Sequence, residues 1–277
     1  IFLWMKVLKP KKTLIISPTF AEYERALKEV SSDVYYFELT EGNEEFYLDF
    51  EKLREELKKN YDLVILCNPN NPTGSFVNRE NFKELLNDVN FSSTNFFIDE
   101  AFIDFIKNGE DLSFKHFESD RVIIIRAFTK FFGIPGLRLG YSICYNKKWV
   151  STANNLKEPW TINTFAASCG EFLLNSNKFI EKTYKTLEKE KNRMLNGLKK
   201  IENIQVFKSE SNFLLIKLME ISGTELYNKL LEKGFLIRRC ENFNFLDDSY
   251  VRIAIKDKKS NKNFIKAINK ITKNRNV

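Results

Sequence analysis

Leu63-Val64-Ile65-Leu66-Cys67-Asn68-Pro69-Asn70-Asn71-Pro72-Thr73-Gly74 is an apolar strand pattern that drives into two Asn-Pro steps and a glycine. Proline lacks an amide donor and pushes the preceding residue out of the helical region, so the strand ends here in a fixed, non-helical turn. The turn presents amide side chains that both donate and accept hydrogen bonds. An ordinary solvated connection uses the same residue types, and the decision rests on what lies around it.

Outward from this strand, short apolar segments alternate with helical patterns. Strands are expected at Thr13–Ser17, Val34–Glu38, Leu63–Leu66, Phe96–Ile98, Val122–Arg126 and Leu139–Tyr145. Helices are expected at Phe20–Val30, Asp49–Asn60 and Arg79–Asn90. Near-continuous apolar strands alternating with helices imply a mostly parallel sheet sandwiched by helices, an α/β fold class. Long helical patterns follow at Phe165–Leu174 and Phe179–Leu198. Strands near Phe213–Leu218 and Tyr250–Ile255, with helices near Thr224–Lys233 and Asn263–Thr272, then suggest a smaller C-terminal α+β domain. The expected division is 1–175 and 176–277, with the long helix at the boundary. The opening Ile1-Phe2-Leu3-Trp4-Met5 reads as the tail of an amphipathic helix, and a missing N-terminal segment is expected.

The chain has 277 residues with 44 basic and 37 acidic side chains, a formal net charge of +7. The basic residues are interleaved with acidic ones, as in Glu188-Lys189-Glu190-Lys191, so no nucleic-acid stripe is expected. The Lys-rich end from Lys256 to Arg275 carries Phe264, Ile265, Ile268 and Ile271 at helical spacing and reads as a packed helix. No apolar run approaches the roughly 20 residues that a membrane span needs, so no membrane role is expected. Cys67, Cys144, Cys169 and Cys240 are dispersed and suggest reduced thiols in a cytoplasmic protein. With His116 as the single histidine, no metal site is expected and Ser-His or Cys-His schemes lose support. His116 is assigned no role.

Two further strand ends are chemically distinctive. Phe96-Phe97-Ile98 runs into Asp99-Glu100-Ala101-Phe102, and Val122–Arg126 runs into Ala127-Phe128-Thr129-Lys130. In an open parallel sheet, ligands bind at the carboxyl ends of the strands. Each segment also has a bland reading: Asp99 as the cap of a helix starting at Ala101, Lys130 as a solvated loop lysine, Arg138 as a surface charge. Yet Lys130 stands among Phe128, Phe131 and Phe132, and such apolar surroundings disfavour an ammonium and favour nucleophilic use. An imine-forming lysine and a carboxylate able to hold a protonated pyridine nitrogen are what pyridoxal phosphate requires.

Asn70-Asn71-Pro72-Thr73-Gly74, Asp99-Glu100-Ala101, and Thr129-Lys130 with Arg138 eight positions on resemble, in order and spacing, the class I and II pyridoxal-phosphate-dependent aminotransferases of fold type I. The resemblance covers essentially the whole chain. It implies pyridoxal 5'-phosphate as cofactor and a homodimer acting on a small-molecule amino substrate. By the same resemblance Lys130 binds the cofactor covalently and shuttles protons, Asp99 pairs with the pyridine nitrogen, and Asn71 contacts the ring oxygen. Thr129 and Arg138 then meet the phosphate, and Phe20 stacks on the ring or else packs in the core. Arg252 grips the substrate carboxylate, or forms a cross-strand ion pair. Arg238 helps receive an anionic substrate, or is a solvated strand-end charge.

Within the family the resemblance is greatest to the L-threonine-O-3-phosphate decarboxylases, with the histidinol-phosphate aminotransferases as the alternative. A non-catalytic regulatory domain on the same fold is the alternative of another class. Three departures stand out. Phe102 replaces a frequent tyrosine, Ala127 replaces a frequent hydroxyl residue, and the family's Gly-rich phosphate loop lies upstream of a segment resembling Ile1–Lys12.

Overall fold

The computed structural model describes residues 1–273. It opens with α1 (Phe2–Leu8), β1 (Lys12–Ser17), α2 (Glu22–Lys28) and β2 (Asp33–Glu38), followed by a two-rung hairpin of β3 (Thr40–Glu41) and β4 (Phe46–Tyr47). Next come α3 (Phe50–Leu57), β5 (Leu63–Cys67), α4 (Arg79–Asn87), β6 (Asn95–Asp99), α5 (Gly109–Leu112), β7 (Val122–Ala127) and the single turn α6 (Phe128–Phe131). After β8 (Gly140–Cys144), helices α7 (Lys147–Leu156), α8 (Thr164–Leu174) and α9 (Asn177–Leu198) follow. The remainder is β9 (Ile204–Val206), β10 (Phe213–Leu218), α10 (Gly223–Leu231), β11 (Arg238–Arg239), β12 (Tyr250–Ala254) and α11 (Lys258–Lys273).

Helix starts follow local chemistry. Asp49, Asn78, Asn146, Asn163 and Ser222 each accept a backbone N–H of the first turn of α3, α4, α7, α8 and α10, satisfying donors that the helix leaves open. The six-stranded sheet runs β2-β1-β5-β6-β7-β8. Every pairing is parallel except β7 with β8. The all-buried pattern of β5 and the mixed pattern of β2 reflect a central and an edge position. A second, antiparallel sheet runs β11-β12-β10-β9 and packs α9, α10 and α11 through Met194, Leu198, Leu226, Phe264 and Ile268.

The chain winds outward from β1 to β2 and then returns to add β5 on the other side of β1. That reversal leaves a crevice at the carboxyl ends of β1 and β5, where helices do not cover the loops. Registers carry the crevice onward, since Cys67 pairs with Asp99 and Asp99 pairs with Ile125.

Several elements differ from the sequence expectation, among them the short α5, α6, β9 and β11, which no pattern in the sequence marks. The β3–β4 hairpin was not anticipated, because two-residue strands have no period to read. It joins the two halves: Glu44 pairs with Lys199 and Lys208, and Glu41 with Lys217. Helix α7 was also missed, since only Ala153 of its ten residues is fully buried and its apolar stripe is thin. The C-terminal helix begins earlier than expected, at Lys258, and Arg275 lies outside the described residues. We propose the division at 175/176 as a domain boundary, with two separate sheets joined through α9 in support.

Under β6 and β7 lies a buried ion pair. Glu100 is fully buried and accepts from Ser113 Oγ (2.7 Å), Phe114 N (2.7 Å) and Arg126 Nε (2.9 Å). Removing one partner strands a charge in the interior. Glu100→Ala is expected to lower unfolding free energy in urea by about 3–5 kcal/mol, whereas Glu100→Met with Arg126→Met loses much less.

Candidate active site

The Asn-Pro turn is a self-braced platform. Asn68 exchanges two bonds with Val77, donating to its carbonyl at 2.9 Å and accepting its N–H at 2.7 Å. Asn70 donates to Pro18 O and Thr73 Oγ1, both at 2.8 Å, and accepts from Thr19 Oγ1 at 2.9 Å. Gly74 closes the turn at φ +74°, and a Cβ there would lie 2.1 Å from Ser209 Oγ. Only glycine meets both demands. Two of the three asparagines are thus consumed by the loop, and Asn71 is left to face outward.

Asn71 lines a cavity of about 540 Å³ together with Phe20, Phe102, Lys130, Arg238 and Arg252. Lys130 lies on α6, and its ammonium is 5.9 Å from the centroid of Phe102. It forms no ion pair among the described residues. The apolar nest expected from its neighbours in sequence is not formed, and Lys130 is exposed to the cavity. The turn of α6 sends Phe131 and Phe132 toward Phe179 of α9, while Phe128 tilts against Tyr141.

Asp99 ends β6 at 6% exposure. Its Oδ2 accepts from Tyr23 Oη at 2.6 Å and its Oδ1 from Ala101 N at 2.9 Å. Burial pushes its carboxyl above the ordinary aspartate range, against the opposing bonds from Tyr23 and Ala101 and the charges of the Ile1 amine and Lys130. The partners at hand are neutral. Tyr23 is held well above its usual phenol range by burial and by Asp99, and burial takes the Cys67 thiol up to about 12. A buried anion with only neutral hydrogen-bond donors is a receptor for a cation.

Tyr23 is the site residue that the sequence reading passed over. It stands six residues past the end of β1, and one turn of α2 carries its ring to the end of β6. Phe20 is 40% exposed, lines the cavity and meets Tyr23 in a T-shaped pair at 5.9 Å.

Arg252 on β12 donates to Asn71 Oδ1 and lies 4.9 Å from the Phe213 ring centroid. Among the described residues it forms no ion pair with a carboxylate. Directly across the ladder stands Arg238, whose Nη2 donates to Asn242 Oδ1 at 2.7 Å. Burial lowers the proton affinity of Arg252, and Arg238 adds to this. Like charges opposite one another weaken a sheet, and no carboxylate lines the cavity beside this pair.

Three expected residues, Asp99, Thr129 and Arg138, are not among those lining this cavity. Arg138 adopts a left-handed conformation (φ +54°), donates to Pro135 O at 3.0 Å, and lines a separate cavity with Trp4 and Tyr141 along β8. The 3-10 turn Pro135–Leu137 precedes it, and Lys130 does not line the cavity that Arg138 lines. Thr129 sits beside Lys130 on α6 and is partly exposed, but it does not line the cavity.

Comparison with known proteins identifies the family. The model of the family described as aminotransferase class I and II matches residues 1–268. The chain is 31% identical over 264 residues to threonine-phosphate decarboxylase of Salmonella typhimurium, covering 95% of this chain and 72% of that protein. It superimposes on the histidinol-phosphate aminotransferase of Clostridium acetobutylicum with a TM-score of 0.91 at 37% identity, covering 98% of this chain and 81% of that one. For the L-threonine-O-3-phosphate decarboxylase of Porphyromonas gingivalis the TM-score is 0.83 at 28% identity, covering 98% and 79%. The chain therefore belongs to the class I and II aminotransferases, enzymes of fold type I that depend on pyridoxal 5'-phosphate.

Proposed function

We propose that this chain acts on an amino-acid phosphate, with decarboxylation of a threonine-phosphate-like substrate as its reaction. The observation that carries this reading is Arg238 set opposite Arg252 in a cavity lined by no carboxylate. Two guanidinium forks suit a substrate with two anionic ends, a carboxylate and a phosphate. Histidinol phosphate has only one. The transaminase reading keeps support from the 37% identity to the Clostridium enzyme, and a dicarboxylic amino acceptor would also use both arginines.

The residues present fit the cofactor. Lys130 has an unpaired amine on the cavity wall, and Asp99 is a buried anion in want of a cation. Lys130 would hold the aldehyde carbon, Asp99 the pyridine nitrogen, Asn71 the ring oxygen and Phe20 the ring face. Thr129 and Arg138 are proposed for the phosphate on the family resemblance. When bound, the cofactor supplies an electron sink for the pair left behind as a bond at the substrate's α-carbon breaks.

The chain's own residues do the rest. Asp99 stays ionised only where a cation meets it, so it keeps that ring nitrogen protonated. Arg252 exchanges Asn71 Oδ1 for a substrate oxygen and sets which group at the α-carbon faces the reacting plane. Arg238 fixes the far end. The Lys130 amine, on the cavity wall, would deliver a proton to the carbon that has lost carbon dioxide. Phe102 contributes no hydrogen bond, which leaves Asn71 alone among the cavity residues opposite the ring oxygen.

We further propose a cytoplasmic homodimer. The support is an exposed apolar surface around α8, with Trp160 at 95% and Phe165 at 78% exposure, and four free cysteines. No helix among the described residues is long and apolar enough to cross a membrane.

Wild-type protein mixed with pyridoxal phosphate is expected to develop a visible absorbance band that Lys130→Ala lacks. Absence of a lysine-dependent band sinks the assignment. Carbon dioxide release from threonine phosphate, set against amino transfer from histidinol phosphate to 2-oxoglutarate, then chooses the chemistry. Arg252→Gln is expected to reduce kcat/KM by roughly 10- to 200-fold through loss of charge-assisted bonds.

Asp99→Asn should separate stability from function. The folded carboxyl titrates above its unfolded value, so the wild type is unpenalised below about pH 4 and loses stability as pH rises through the interval up to the raised value. The variant is expected to unfold at equal or higher urea than wild type at pH 8, with the gap closing toward pH 4, while losing cofactor affinity.

A further inference from the structure

On the far side of Lys130 lies a second cavity, of about 400 Å³. It shares Lys130 and Asn212 with the main cavity, so the two are separated by these side chains. Its apolar wall is formed by Phe105, Phe131 and Leu187, all buried. Its polar groups are almost entirely donors. Lys182, Thr183 and Thr186 project from α9, where residues three and four apart share a face. Lys256 follows β12 and approaches from the opposite side.

The hydrogen-bonding record of these groups is one-sided. Neither Lys182 nor Lys256 forms an ion pair among the described residues, and neither the Thr183 nor the Thr186 hydroxyl has a bond partner there. The one carboxylate in the lining, Asp257, is already engaged. Its Oδ1 accepts Lys259 N (2.9 Å) and Ser260 N (3.1 Å), and its Oδ2 accepts Ser260 Oγ at 2.6 Å, closing the first turn of α11. Asp257 keeps its charge, so the lining sets three amines against one carboxylate and remains net positive. Three amines (counting Lys130), two hydroxyls and an amide around one hollow match a tetrahedral dianion, for which lysine serves as a point-charge partner.

We propose that this cavity is a second anion site, taking a phosphomonoester or inorganic phosphate through Lys182, Lys256, Thr183 and Thr186. It goes beyond the reading of the main cavity and does not depend on it, because Arg238 and Arg252 lie outside it. Occupancy places a dianion against Lys130 without entering the space between Asn71 and Arg252. Two sources share this chemistry, a free phosphate ion and the phosphate end of a long substrate whose amine lies at Lys130.

The test titrates inorganic phosphate into the 277-residue chain by calorimetry at constant ionic strength set with chloride. Lys182→Gln/Lys256→Gln is expected to weaken phosphate binding by roughly tenfold or more, and Thr186→Val to weaken it less. Arg238→Gln/Arg252→Gln is expected to retain phosphate affinity at this site. Both lysines are exposed, so their replacement leaves folding intact, which a thermal melt verifies.

Phosphate affinity unchanged in the lysine pair, and lost only in the arginine pair, overturns this site and leaves the reading of the main cavity standing. Loss in the lysine pair with no effect of the arginine pair on threonine-phosphate turnover does the reverse. An unchanged KM for threonine phosphate in the lysine pair assigns the site to free phosphate, and a raised KM assigns it to the substrate's own phosphate.

Discussion

Asp99 carries a carboxylate where water barely reaches, and the surrounding structure is arranged to hold it there. Two neutral groups donate to it, Tyr23 Oη and Ala101 N. Cys67 is its direct neighbour across the ladder and stays a thiol. A fold does not keep such a charge for stability, since burial without a cation opposes folding. The cost accords with the proposed role, in which the cofactor brings the positive charge. Glu100, next in sequence, shows the contrasting case: it is satisfied within the chain by Arg126, Ser113 and Phe114, and serves structure alone. Two adjacent carboxylates point to opposite faces of one strand and acquire different roles.

The second half of the molecule contributes the opposite charge. Antiparallel pairing sets Arg238 against Arg252, and Phe213 supports one guanidinium from behind. The small sheet thus presents cations toward a large sheet that presents an anion, and the gap between them is where amine, carboxylate and phosphate chemistry can meet. The hairpin salt bridges of Glu41 and Glu44 to Lys217, Lys199 and Lys208 hold the two halves in register. These pairs are half-exposed, so each contributes little to stability; what they add is orientation.

Much of this was legible in the chain. Strands β1, β2, β5, β6, β7 and β10 were readable because buried parallel and core strands are continuous apolar runs, and their ends came out within one residue. That Asn71, Asp99 and Lys130 follow or end neighbouring strands was also readable, because parallel strands deliver their carboxyl ends to one edge. The aromatic nest around Lys130 was misread. Adjacent side chains on a helical turn diverge by about 100°, so Phe131 and Phe132 leave for α9 instead of enclosing the amine.

Local pattern determined the α/β class, the strand ends and the placing of Asp99 and Lys130 at the ends of neighbouring strands, since these depend on residue type and on the twofold and 3.6-fold periods of the backbone. Tertiary structure alone decided that Tyr23 binds Asp99, that Arg238 opposes Arg252, and that Arg138 faces a different cavity. Those contacts join residues 76 and 14 positions apart in the first two cases, or hang on one left-handed residue in the third. Sequence periodicity reports which face a residue occupies, whereas the partner on that face is set by register, winding and turn geometry.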